Sequence, residues 1–158
     1  MRGHSDVILV DLRDGDSLAY NHAYENLRLG AIASALASAN RTFRFADLND
    51  LQSVVTESTR PLVVLDAFFR AAADVHQALT CIRIANPSAQ VLLFGRAART
   101  IAETPELRDL VDHFEYVDEV AAVLRLVGAP TISWQETTPH RPSPRGWVER
   151  GVIDVEAT

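Results

Sequence analysis

The sequence predicts an α/β fold, a flavodoxin-like or Rossmann-like doubly wound sheet of five parallel strands, followed by a C-terminal arm that carries proline and tryptophan. Three observations lead there. Short, uninterrupted apolar runs such as Val7-Ile8-Leu9-Val10 and Leu62-Val63-Val64-Leu65 have the pattern of strands covered on both faces. Longer stretches of helical period separate them, and strict alternation of this kind produces a parallel sheet with right-handed crossovers. From Ala129 onward the composition changes: the arm holds four of the seven prolines and both tryptophans. Residues 1–128 are therefore expected to form the domain and residues 129–158 the arm.

The elements follow in order. Val7 to Val10 opens the sheet. Tyr24 to Ala39 is a helix, with Leu27, Ile32, Leu36 and Ala39 near one stripe and alanines filling around them. Asn40 closes it, and Thr42 to Ala46 alternates as the second strand. Asn49 to Ser58 is a short helix, and Pro61 introduces the third strand. Ala71 to Ala85 is helical, with Val75, Leu79, Ile82 and Ile84 as core positions. Asn86-Pro87-Ser88 is a turn, because proline biases the residue before it away from helix. Val91 to Phe94 is the fourth strand, ending at Gly95. An irregular helix around Pro105 to Leu110 leads to a fifth strand, His113 to Val117. Glu119 to Val127 completes the series and is stopped by Gly128 and Pro130. The expected strand order is 2-1-3-4-5, which places any ligand outside the carboxyl ends of the strands, near the switch in order.

Composition removes several kinds of chemistry. The chain of 158 residues is 47% hydrophobic and 23% charged, ordinary for a globular protein. Its one cysteine, Cys81, lies within a helical, apolar stretch and is expected to be buried and inert. No thiolate zinc site, iron–sulfur cluster or internal disulfide can be built from it. All 15 basic residues are arginine, so a P-loop, a pyridoxal Schiff base and a lysine nucleophile are impossible. The net charge of −6 disfavours nucleic acid as a partner. No apolar run is long enough to span a bilayer and no secretory leader is evident, so a cytoplasmic location is expected.

Candidate functional residues are few. The five histidines are scattered without ligand spacing; His22, in the long loop after the first strand, is the one placed to meet a ligand. Asp14-Gly15-Asp16 in the same loop is a solvated acidic turn rather than a cation site, since no further ligands accompany it. No Ser-His-Asp or Cys-His arrangement is present, and no residue is nominated as a catalytic acid, base or nucleophile. Tryptophan in a segment that lacks other core features suits docking, so Trp134 and Trp147 are expected to bind a partner, in cis or in trans.

Two resemblances are carried by specific residues. Leu65-Asp66-Ala67-Phe68-Phe69, followed by Cys81-Ile82-Arg83 and Asn86-Pro87, resembles a response-regulator receiver, with Asp66 at the position of the phospho-acceptor. Such domains also need paired acids after the first strand, a hydroxyl after the fourth and a lysine after the fifth. Here Asp11 and Asp14 are the only acids available, Gly95 replaces the hydroxyl, and no lysine exists. The resemblance therefore implies a degenerate pseudo-receiver, a protein-interaction module without a cofactor that acts by dimerisation.

The second resemblance spans residues 6 to 127. Asn26-Leu27-Arg28-Leu29-Gly30-Ala31-Ile32-Ala33-Ser34-Ala35-Leu36, then Phe43-Arg44-Phe45-Ala46-Asp47, and later Asn86-Pro87-Ser88-Ala89-Gln90-Val91-Leu92-Leu93-Phe94-Gly95, is similar to the cobalamin-binding domain found at the N-terminus of cobalamin-dependent radical SAM enzymes. It implies a stand-alone cobalamin-binding-like domain, an accessory subunit of a separately encoded radical SAM enzyme, because this chain lacks the cysteine triad such an enzyme needs. Cobalamin would then lie flat on the strand ends. Leu12, Arg13 and Asp14, with Leu18, Tyr20, Asn21 and His22, would form one wall, and Asp66, Ala67 and Phe68 another. Gly95 and Arg96 would lie beneath, with Glu115 and Tyr116 at the rim. The partner would be that enzyme, or a second copy of this chain engaged through the arm.

Overall fold

The computed structural model describes residues 6–12, 27–67, 72–96 and 98–130. Eleven elements follow in chain order: β1 (Val7–Asp11), α1 (Leu27–Ser38), β2 (Phe43–Ala46), α2 (Leu51–Glu57), β3 (Leu62–Asp66), α3 (Ala72–Ala85), β4 (Gln90–Phe94), α4 (Ala98–Ala102), α5 (Pro105–Arg108), β5 (His113–Glu115) and α6 (Glu119–Leu126). The strands form one sheet in the order β2-β1-β3-β4-β5, and every pairing is parallel. The chain thus has the doubly wound, flavodoxin-like arrangement that its alternating pattern predicts.

Side chains alternate between the faces of a strand, so a continuous apolar run feeds two cores at once. On one face Ile8, Val10, Leu12, Val63, Leu65, Val91 and Leu93 meet α2, α3, α4 and α5. On the other, Val7, Leu9, Leu62, Val64, Leu92 and Phe94 meet α1 and α6 through Leu29, Ile32, Leu36, Ala122 and Val123. Most of these side chains are fully enclosed, and truncating one of the leucines to alanine costs about 2–5 kcal/mol.

Several sequence expectations are corrected. Leu27 does not join the α1 stripe: it is 78% exposed, and Leu29 takes the buried place. Ile84 is likewise exposed, because the buried positions of α3 run Val75, Ala78, Leu79, Ile82, a spacing that turns Ile84 outward. The irregular helix expected over Pro105 to Leu110 is the short α5, ending at Arg108, and a further short helix, α4, precedes it where the sequence pattern marks none. β5 ends at Glu115 rather than Val117, since the Glu115 carboxylate accepts hydrogen bonds from the backbone N–H groups of Val117 and Asp118 and folds the chain into a turn. Cys81 is half-buried rather than buried. The residues expected as helix before Leu27 lie outside the described residues.

The helix ends follow local chemistry. Asn40 closes α1 in the left-handed region at φ 56°, a conformation asparagine tolerates, and Arg41 N–H reaches back to the Leu36 carbonyl at 2.8 Å. Asp118 caps α6 by accepting from Ala121 N–H at 3.0 Å. Gly128 ends α6 at φ 70°. Beyond it, buried Ala129 donates its N–H to the Leu124 carbonyl, so packing continues one residue past the expected boundary. The remainder of the arm lies outside the described residues.

Candidate functional site at the carboxyl edge of the sheet

The strand order reverses between β1 and β3, and their last paired residues there are Asp11 and Asp66. The register continues outward: Asp66 is level with Phe94 on β4, and Phe94 with Glu115 on β5. Counting the two-residue period from Val7, Leu62 and Leu92, all four positions belong to the α1/α6 face. The carboxyl edge is thus a row of two acids, a phenylalanine and a third acid.

Two carboxylates directly opposite each other repel. Arg28, from α1 on the same face, answers this: its Nη2 lies 3.6 Å from Asp66 Oδ1, and its guanidinium sits 5.7 Å from the centre of the Phe94 ring. Asp66 is one of only two buried polar side chains among the described residues, with 7% of its side chain exposed against 33% for Arg28. The arginine therefore closes over the aspartate and partly shields it from solvent, with the Phe94 ring as its platform.

The other expected site residues have distinct fates. Leu12 is 1% exposed and belongs to the core on the α3 face, and Ala67 is fully enclosed there, its N–H donating to the Phe94 carbonyl at 2.8 Å. Gly95 adopts φ 108°, which a side chain would strain, and its carbonyl accepts from Ala98 N–H to start α4. Arg96 is exposed beside it. Glu115 is committed to the turn after β5. Tyr116 stands at the rim, 48% exposed, stacked on Phe114 at 6.5 Å and capped by the Arg99 guanidinium at 4.8 Å. Arg13, Asp14, Leu18, Tyr20, Asn21, His22, Phe68, Trp134 and Trp147 lie outside the described residues. Among the described residues, no three His, Cys, Asp or Glu side chains come together as a metal site.

Arg28 and Phe94 are the residues that sequence reasoning did not single out. Both stand inside the 26–36 and 86–95 stretches that carry the second resemblance, but only the packing of α1 over β3 and β4 reveals their joint role. Asn86 also changes meaning. Its side-chain N–H donates to the Ser58 carbonyl at 2.7 Å and its oxygen accepts from Ser88 N–H, so the Asn-Pro-Ser motif ties α2 to the β4 entry. That work lies at the amino end of the sheet, away from the ligand edge.

No protein-family model matches the chain, and neither does any curated protein. Among solved structures, the chain is similar to the receiver domain of NtrC4 from Aquifex aeolicus, with 17% sequence identity, a TM-score of 0.49, and coverage of 78% of this chain and 90% of that one. The chain's own strand order and register define its fold, and no helix among the described residues is long and apolar enough to cross a membrane.

Proposed function

We propose that this chain is a non-catalytic, receiver-like interaction module in which the aspartate at the end of β3 is held silent by an internal ion pair. The observation that carries the reading is the Arg28–Asp66 contact at 3.6 Å, with Asp66 buried and Arg28 lying over Phe94. A phospho-acceptor aspartate must approach a phosphoryl donor in line while cations neutralise the equatorial oxygens. Here the carboxylate is nearly enclosed and already paired. The residue after β4 is Gly95, which lacks the hydroxyl such chemistry uses there, and the residue after β5 is Tyr116, which lacks the cation it uses there.

What the module presents is surface. Tyr116 and Val117 are 48% and 89% exposed at the turn after β5, with Arg99 stacked on the tyrosine. An aromatic ring backed by a guanidinium, beside an aliphatic side chain, is the composition of a protein-contact patch rather than of a reaction centre.

The test treats the full-length protein with acetyl phosphate and Mg²⁺ and reads intact mass. In parallel, it is mixed with hydroxocobalamin, passed through gel filtration and read by visible spectrum. The expected result is an unchanged mass and no retained cobalamin. A phosphoryl adduct that disappears in Asp66→Asn overturns the silent-aspartate reading. Retained cobalamin with an altered spectrum overturns it in favour of a cofactor-carrying subunit for a separate radical SAM enzyme.

A further inference from the structure

The edge strand β2 is bonded to β1 alone, and among the described residues no strand lies on its outer side. An edge strand leaves a row of backbone N–H and C=O groups unpaired, and proteins usually blunt such an edge with proline, lysine or a covering segment. The β2 sequence, Phe-Arg-Phe-Ala, has neither residue. Arg44 points to the α2 side, bonded to Glu57, Ser58 and the Val54 carbonyl. Phe43 packs against the core of the opposite face, but Phe45, edge-on to it at 5.8 Å, is 54% exposed.

The chain itself arrives at this edge. α6 descends beside α1 to the amino end of the sheet, and Gly128 turns the backbone at φ 70°. The Gly128 carbonyl accepts from Arg41 Nη2 at 3.3 Å, and Arg41 stands two residues before the first residue of β2. A segment leaving that point beside β2 runs in the same direction as the strand. The hand is also right. The β1-α1-β2 crossover steps toward this edge with its helix on the α1/α6 face, and a β5-α6 crossover continued past β2 steps the same way over the same face.

We propose that residues 131–137, Thr-Ile-Ser-Trp-Gln-Glu-Thr, pair as a sixth parallel strand along the outer edge of β2 and cover Phe45. Ile132 and Trp134 are two residues apart and so share one face of an extended chain, with polar Ser133 and Gln135 on the other. Placed on the Phe45 face, they supply the apolar area that the half-exposed ring lacks. Pro130 falls just before the segment, where a missing N–H does not interrupt a ladder. Seven extended residues reach about 23 Å, ample for a four-residue partner. The inference is independent of the Asp66 reading, since it concerns the outer edge of β2, two strands away from β3.

The full-length protein, isotope-labelled, is examined by NMR at two concentrations, with hydrogen exchange followed at residues 43–46. The expected result is backbone cross-peaks between 131–137 and 43–46 that do not change with dilution. In Ile132→Pro, the outer β2 amides are expected to exchange roughly tenfold faster or more, while Ile153→Pro, a proline outside the segment, leaves them unchanged. Random-coil shifts over 131–137 overturn the proposal. So do cross-peaks found only between differently labelled copies, or β2 exchange that Ile132→Pro leaves untouched.

Discussion

At the carboxyl edge, Arg28 places a positive charge against the buried Asp66. Without the Arg28 guanidinium, Asp66 would remain buried opposite Asp11 with this counter-charge removed. Because a third of the arginine side chain is exposed, solvent screens part of that loss, and Arg28→Ala is expected to cost about 1–2 kcal/mol. Arg28→Lys should recover only part of it, since an ammonium lacks the flat face that lies over Phe94. The midpoint of urea denaturation measures both, and equal midpoints for wild type and Arg28→Ala would show the pair to be energetically idle. His113 gives a change of the opposite sign. Its Nε2 is buried without a hydrogen-bond partner among the described residues, so His113→Phe is expected to raise stability by about 0.5–1 kcal/mol in the same assay. Asp66 was legible in the sequence as an acid ending an apolar strand. Arg28 was not, because its meaning depends on where α1 crosses the sheet, which helical periodicity does not encode.

At the scale of elements, the chain ties its helices to its strands with side chains that read as ordinary surface charges. Arg83, in the last turn of α3, donates to the Leu110 carbonyl at 3.1 and 2.8 Å and to the Ala89 carbonyl at 2.7 Å. It also pairs with Asp112 at 2.8 Å. Asp112 in turn accepts from Val91 N–H at 2.7 Å. One guanidinium thus fastens α3 to the start of β4 and to the approach of β5. Arg83→Met keeps the aliphatic stem but takes the guanidinium donor from two carbonyls and leaves the Asp112 carboxylate only its bond from Val91 N–H among those described, and is expected to destabilise by about 2–3 kcal/mol. By contrast Val117→Glu, on a side chain that is 89% exposed, is expected to change stability by less than about 0.5 kcal/mol. Thermal melts of the two variants test whether this network, rather than the aromatic rim, holds the β4–β5 half together. Strand β5 shows where sequence runs out: His113 to Val117 alternates well enough for five residues. Glu115 nevertheless turns the chain early by bonding its own downstream backbone, a competition between side chain and ladder that hydrophobic patterning does not register.

For the whole molecule, the order of strands followed from the β-α alternation because a chain of this pattern has few ways to bury two faces of one sheet. The burial of particular helical residues was less secure. Leu27 and Ile84 are apolar yet exposed, since a helix laid on a twisted sheet buries a stripe narrower than its apolar content. Among the described residues, the enclosed side chains of the two cores run from Val7 to Val123, and buried Ala129 beyond them is fixed by its bond to the Leu124 carbonyl. A protein ending at Pro130 therefore retains every described side chain of the two-sided core, together with the Asp118 cap and the Ala129 bond that hold the two ends of α6. It is expected to unfold in one cooperative transition, with calorimetric and van't Hoff enthalpies agreeing. If residues 131–137 cover β2, the shortened protein also melts a few degrees lower, because an edge ladder and the contact over Phe45 are gone while the central strands are untouched. A broad, non-cooperative transition would mean instead that the arm completes the core itself, and that the fold is not self-sufficient without it.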